Sequence, residues 1–422
     1  MRWRAYPKYR DSGVEFMGSI PKHWRIKQVR RLTRRHKQGF YTSNEYVETG
    51  VKLARITDID DSGNVSFDNM PYVEINSDDE QAFRISDGDF LFARSGTVGR
   101  FGLVRNPERS VFASYLIQFK LKDIDPNYAR YCFLSTYFKN ALYAELHGGA
   151  NQNVHAENIK ERFICMGSTE EQRTITAFLD REISRIDALI AKKERQIELL
   201  QEKRAALISH AVTKGLDPNE PVKDSGVEWL GEIPAKWEVK QLKWVIVFQR
   251  GHDLPIEKRE EGHIPVVSSS GISGSHLKAM AKAPGIITGR YGTIGHFYLL
   301  EEEYWPLNTT LYSIEMYEND AHFLQYMLSH LSPLFLLNAV KSAVPGVDRN
   351  DIHPILTAIP PSPDQLAIAE FLDRETAKIQ TLCTKVAESI DKLKEYRTAL
   401  ISAAVTGKID VRGEVANAGN DA

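Results

Sequence analysis

Apolar residues recur at alternating steps of four and three in two stretches of the chain. The first runs Leu179, Ile183, Ile186, Ile190, Lys193, Ile197, Leu200, Arg204, Leu207 and Ala211. A shift of 193 residues gives Leu372, Thr376, Ile379, Cys383, Val386, Ile390, Leu393, Arg397, Leu400 and Ala404. This spacing puts one stripe on a helix and predicts a coiled-coil seam. The positions between are mostly Lys, Arg, Glu and Gln, and neither run holds Gly or Pro between its first and last seam residue. Pro-Ser-Pro-Asp-Gln before Leu366 opens the second helix, and Thr213-Lys214-Gly215 and Thr406-Gly407-Lys408 close the two. Each seam spans a rod roughly 50 Å long. An amphipathic helix of that length needs a partner, so the two are expected to pair. Cys383 is an unusual residue for such a seam.

Elsewhere the pattern is shorter and mixed. Strands are predicted at 51–56, 89–93 and 114–121, and again at 239–248, 285–289 and 310–316. Helices are predicted at 127–146, from Tyr128, Tyr131, Leu134, Phe138 and Leu142 on one face, and around 323–331. These segments fall in the same order twice, as do several motifs. "DSGVEFMGSIPKHW" at 11 returns as "DSGVEWLGEIPAKW" at 224, "RSGTVG" at 94 as "RYGTIG" at 290, and "FLDRE" at 178 again at 371. "RAALISHAVT" at 204 matches "RTALISAAVT" at 397 at eight of ten positions. The offset falls from 213 to 196 to 193, so the helical part keeps its length while the globular part does not. The chain is therefore an internal repeat of two heads and two rods. Trp24 and Trp237, in fixed register with Gly and Pro, are expected to be buried anchors.

Composition alters this picture little. The 422 residues carry a net charge of −2 and 26% charged residues, ordinary for a soluble protein. No apolar run is long enough for a membrane span, and the first residues lack the apolar core of a secretory signal. Three cysteines give no disulfide framework, so the expected compartment is cytoplasmic. Locally the charge is uneven: residues 1–40 hold twelve Lys/Arg against two acids, and 41–90 hold twelve acids against three bases. Basic segments interleaved with Trp and Tyr suit a phosphate backbone, although a salt-bridged solvated face has the same composition.

Catalytic signals are missing. No dinucleotide-binding glycine fingerprint, P-loop, zinc-protease motif or Asn-Pro-Pro-Tyr methyltransferase motif occurs. Asp224, Glu238 and Lys240 resemble a nuclease set, but their counterparts Asp11, Arg25 and Lys27 lack the second acid. His147, His155 and Cys165 fit no structural zinc spacing. The glycine loops are better candidates. Each follows a strand, glycine permits close approach, and Arg94, Ser95, Thr97, Arg100, Arg290, Tyr291 and Thr293 can reach phosphate or base edges. A second polar loop follows the helix of each head, and Asn151, Gln152, Asn153, Lys341 and Arg349 offer donors and acceptors there. The competing reading makes all four loops plain turns and connections.

Taken in order and twice over, these motifs resemble the specificity subunits of type I restriction-modification systems, across almost the whole chain. The Glu171-Gln172 and Asp364-Gln365 pairs before each rod belong to the same likeness. The resemblance implies an α+β protein: two mixed α/β target-recognition domains held by two antiparallel helices, with pseudo-two-fold internal symmetry. The expected divisions are recognition domain 1 at 1–168, rod 1 at 169–213, a linker at 214–223, recognition domain 2 at 224–361, rod 2 at 362–406 and a flexible tail at 407–422. The resemblance further implies no catalytic centre and no cofactor or metal in this chain. Each domain would read one half of a bipartite double-stranded DNA target. Two modification (methyltransferase) subunits using S-adenosylmethionine would be recruited, together with restriction subunits using ATP and Mg2+. The rival classes are a coiled-coil scaffold with two protein-binding heads and an autonomous methyltransferase or nuclease. Heads built for proteins would bind DNA no better than any basic surface.

Overall fold

In the computed structural model, residues 3–42, 45–94, 99–144, 153–339 and 346–414 are described. The first head is built on four strands, β1 (Thr33–Gln38), β2 (Phe90–Ala93), β3 (Phe101–Leu103) and β4 (Leu116–Leu121). They form an antiparallel sheet in the order β1-β4-β2-β3. Strand β2 (Phe-Leu-Phe-Ala) is buried on both faces, which explains why it reads as a continuous apolar run rather than an alternation. Phe90, Phe92 and Phe101 meet Phe133 edge-on between 5.1 and 5.4 Å, fixing the helical layer to the sheet.

That layer is α1 (Pro126–Leu134) and α2 (Thr136–Tyr143). The single helix expected over 127–146 is broken at Ser135, which takes φ −66° and ψ 148°. Its hydroxyl and its N–H both turn back to the Cys132 carbonyl, at 2.5 and 3.2 Å, which ends α1. Apolar periodicity continues across the break, so the pattern alone could not show it.

The long helix α3 (Thr169–Lys214) follows, and the second head repeats the first. Strands β5 (Val247–Arg250), β6 (Gly285–Gly289), β7 (Phe297–Leu300) and β8 (Thr310–Glu315) lie in the order β5-β8-β6-β7, the same topology. The run 239–248, expected as one strand, is two: Glu238–Gln241 and β5, separated by a turn of 3-10 helix at Leu242–Trp244. Helix α4 (Ala321–Ala339) is unbroken, and α5 (Ser362–Val405) is the second long helix.

The chain forms two compact units, Met1–Lys192 with Ser389–Ala422 and Lys193–Glu388. Each unit holds one head and the adjoining part of both long helices, which run antiparallel there. In the first, Ile183 and Ile186 share a core with Leu400, Ile401 and Ala404, and Ile190 and Leu393 pack against it. Arg397 Nε donates to Asp187 at 2.9 Å, which explains a charged residue on the seam. In the second, Ile208, Ala211 and Val212 share a core with Ile368, Ala369 and Leu372. Along the helices the seam positions Ile379, Val386 and Ile390 are buried, while Ile197, Leu200, Leu207 and Cys383 are half-buried.

The recurring motifs turn out to be joints between helix and head. Phe178 and Leu179 of the first FLDRE are fully buried, and its Asp180 accepts from the Tyr131 hydroxyl at 2.6 Å. In the second copy Asp373 accepts from Tyr326 at 2.7 Å. Gln172 and Gln365 are buried, and each accepts the backbone N–H that opens the head's helix, from Asp125 at 3.0 Å and Asp320 at 2.9 Å. Trp24 and Trp237 are 2% and 1% exposed. Trp24 Nε1 donates to Glu171 at 3.3 Å, and His23 bonds the same oxygen at 2.9 Å. Burial alone would raise the Glu171 carboxyl. The bonds from His23, the Ser168 N–H and Trp24 outweigh it and hold the pKa below the usual carboxylate range.

The tail expected to be flexible from 407 is not so over 407–414. Val411 is fully buried in the first core, and Asp410 N–H donates to the Arg4 carbonyl at 2.7 Å. A short polar stretch after a helix signals nothing by itself, and only the groove it fills reveals the packing. Residues 415–422 lie outside the described residues.

Candidate nucleic-acid interface

At one end of each sheet, backbone bonds draw four loops together. In the first head Gly39 N–H donates to Leu116 O at 3.0 Å and Phe40 N–H to Phe112 O at 2.7 Å. Arg94 N–H donates to Tyr115 O at 2.9 Å, and Arg94 O accepts from Val154 N–H at 2.7 Å. In the second head the same frame is Gly251 to Thr310 at 3.1 Å, His252 to Pro306 at 2.8 Å, Arg290 to Thr309 at 2.9 Å and Val347 to Arg290 at 3.0 Å. The glycine loop and the loop after the helix, read from sequence as separate candidates, are thus bonded neighbours in both heads. The frame also needs a glycine at its base. A methyl group on Gly39 would run into the Ala113 carbonyl, and one on Gly251 into the Leu307 carbonyl.

The expected contact residues sit on this frame in different ways. Arg94 and Arg290 are half-buried at its centre. The Arg290 guanidinium lies over the Tyr291 ring at 5.1 Å, and its Nε is buried with no partner among the described residues. Tyr291 is 41% exposed. The Thr293 hydroxyl donates to the Ser269 carbonyl and so holds the turn. Arg100 is tied to Asp61 at 2.7 Å. Asn153 is exposed beside Val154. Arg349 is exposed on a one-turn helix, Arg349–Ile352, within what was expected to be a polar loop. Asp348 caps that turn by accepting from Asn350 N–H at 3.1 Å. Ser95, Thr97, Asn151, Gln152 and Lys341 lie outside the described residues.

The turn is fixed from below by His353, whose Nε2 accepts the Phe248 N–H at 3.1 Å. Only the neutral ring can accept there. Burial first, and then the charges of Arg349 and Lys243 against that of Asp348, hold its pKa below the ordinary value.

The sequence reading missed the residues standing between the loops. In the first head Tyr41, Tyr46 and Tyr115 rim an open cleft of about 460 Å3 with Ser114 and Leu53. Burial first, and then Tyr46 and Asp58 against Arg55, raise the Tyr115 hydroxyl pKa. In the second head the positions of Tyr41, Ser114 and Tyr115 are held by Asp253, Asn308 and Thr309. No motif marks them, because they differ between the copies. Only the shared backbone bonds identify them as equivalent.

No group of three or more His, Cys, Asp or Glu among the described residues is arranged to hold a metal. Among the described residues no helix is long and apolar enough to cross a membrane. Residues 36–199 and 234–390 both match the type I restriction modification DNA specificity domain. The chain belongs to that family. The two matches fall on the two heads with their helices, so the repeat is a repeat of this domain. As a member it is a specificity subunit rather than a catalytic one, and its partners are DNA and other subunits of a restriction-modification system. Among curated relatives, the type I restriction enzyme MjaX specificity subunit of Methanocaldococcus jannaschii is 25% identical over 94% of this chain and 96% of its own. The MjaVIII specificity subunit of the same organism is 37% identical over 95 residues, covering 22% of this chain and 20% of its own. Two solved structures share the fold at 16% identity. One, from a study of assembly and conformational transition in the type I restriction-modification system, has a TM-score of 0.73 and covers 94% of this chain and 99% of its own. The other, the HsdS subunit of Thermoanaerobacter tengcongensis, has a TM-score of 0.55 over 94% and 100%.

Proposed function

We propose that this specificity subunit reads a bipartite DNA target, one half-site per head, through the loop cluster at the end of each four-stranded sheet. One observation carries the reading: the same frame of four backbone bonds is built twice, with Gly, Arg and Val repeated in it, while Tyr41, Ser114 and Tyr115 on its loops give way to Asp253, Asn308 and Thr309. A structural joint would repeat its side chains, as the FLDRE aspartates do. A reading surface for two unlike half-sites repeats its frame and varies its contacts. The paired helices would set the distance between half-sites and offer a surface to two modification subunits. S-adenosylmethionine chemistry on adenine belongs to those subunits, and ATP-driven translocation and cleavage to restriction subunits, all outside this chain.

Sequencing the methylated positions in a host that carries this subunit with its modification subunits tests the proposal. The expected result is one two-part motif with a fixed spacer. Methylation without a motif, or a motif unchanged when the subunit is exchanged, would overturn it and favour heads that bind proteins.

A further inference from the structure

We infer that Asp253 and Asn308 form a base-reading pair for an exocyclic amino group in the half-site of the second head. This rests on the functional reading above and extends it to a chemical class of base. Asp253 is exposed and Asn308 half-exposed, on two of the loops that the frame draws together around Arg290. Asn308 Nδ2 donates to Asp253 Oδ1. That bond uses one of the amide's two N–H donors and leaves the second carboxylate oxygen, the amide oxygen and one amide N–H. The acceptors outnumber the remaining donor and carry the pair's negative charge, so its preferred ligand is an N–H donor.

In a DNA groove this is a restrictive requirement. A carboxylate is repelled by phosphates, so it is tolerated only where a base edge supplies an N–H. In the major groove, cytosine N4 and adenine N6 do so, whereas guanine O6 and thymine O4 present acceptors that would face the carboxylate. The pair thus selects amino-bearing bases and rejects keto-bearing ones at one position. Rejection by repulsion is as much a part of specificity as attraction. In the first head the equivalent positions are Tyr41, Ser114 and Tyr115, with no carboxylate at the place of Asp253, although Glu45 lines the same cleft.

The test uses the complex of this subunit with its modification subunits and a pool of duplexes randomised across both half-sites. Methylated products are sequenced for wild type, Asp253→Asn and Asn308→Ala. The wild type is expected to accept only cytosine or adenine at one position of the second half-site. Asp253→Asn exchanges an acceptor for a donor, so the preference for amino over keto bases there should fall about ten- to hundredfold. Asn308→Ala should weaken the same preference. The first half-site must stay intact in both variants, which serves as the folding control. An unchanged motif in Asp253→Asn overturns the inference, and so does an equal loss of methylation on every sequence. A wild-type complex with no second half-site overturns the functional reading itself.

Discussion

Arg94 and Arg290 occupy the same place in two equal frames, each held by its own backbone N–H and C=O. The scaffold therefore fixes the backbone from which each side chain starts. Arg94→Ala should disturb one half-site and Arg290→Ala the other. If the arginine reads guanine, the loss is about 1–3 kcal/mol and specificity relaxes at one position; if it holds phosphate, binding weakens on all sequences alike. Binding isotherms on matched and single-mismatch duplexes separate the two, and wild-type affinity and specificity in both variants would reduce these loops to turns. The arginines were legible because they recur. Tyr41, Asp253 and Asn308 were not, since a residue that differs between copies leaves no repeat and a loop residue has no period. The motifs that recur most faithfully, such as Asp180 and Asp373 or Gln172 and Gln365, serve the joints.

Elements were legible where one period runs long. Both long helices were readable, because their seams sustain the four-three step for about nine turns. Shorter elements were blurred by local bonds that periodicity does not encode, as at Ser135 and at Leu242–Trp244. One such local bond has a pH consequence. His353 must be neutral to accept the Phe248 N–H, and its folded pKa lies below the unfolded value near 6.5. A base with a lowered folded pKa favours folding while both states are neutral, and this contribution falls once the unfolded state begins to protonate. The second unit should therefore lose stability as pH drops below about 6.5 and toward the folded pKa, with the Arg349 turn loosening first. Denaturant titrations from pH 7.5 to 5 should show the slope, and His353→Gln, which retains an acceptor and cannot titrate, should flatten it. The helices invite a second experiment. Ile190 and Leu393 pack against one core, so a heptad inserted after Ile190 and another before Leu393 keeps both seams in phase. Each helix lengthens by about 10 Å, close to three base pairs. The methylated motif should acquire a spacer about three base pairs longer, with both half-sites retained. Efficiency should drop, because DNA turns by roughly 100° over that distance. Undiminished methylation at the original spacing would show that these helices do not set it.

At the scale of the molecule, the repeat shows in how each head receives a helix end. In the second unit, α3 ends at Lys214 and Gly215 with φ +78°, the left-handed cap that glycine favours. The chain continues into the hairpin of Val222–Asp224 and Glu232–Pro234, with Lys214 Nζ donating to the Glu232 carbonyl. In the first unit, α5 ends at Val405 and is closed by Gly407 with φ +67°, and Gly407 lies against Pro21 of the equivalent hairpin, Tyr9–Asp11 and Ser19–Pro21, and against Trp24 just after it. Lys408 Nζ donates to the Ser19 carbonyl at 2.5 Å, and the Tyr9 hydroxyl to the Gly407 carbonyl at 2.9 Å. The two joints share the lysine-to-carbonyl bond and the packing of a glycine on Pro and Trp, while the Tyr9 bond has no counterpart because Val222 stands in its place; one joint is crossed by the chain and the other is not. If contacts rather than the covalent link hold a joint, the link can be moved. A circular permutant that starts at Pro218, ends at Asp217 and joins Glu414 to Trp3 through a short Gly/Ser linker should fold and give the same two-part methylation motif. The new closure spans residues already brought together by the Arg4–Asp410 bond, so its entropic cost is small. The urea midpoint should fall modestly, with the loss confined to the opened second joint. A permutant that keeps the first half-site and loses the second would show that the joint at Lys214, which lacks the Tyr9 bond of the first, needs its covalent link.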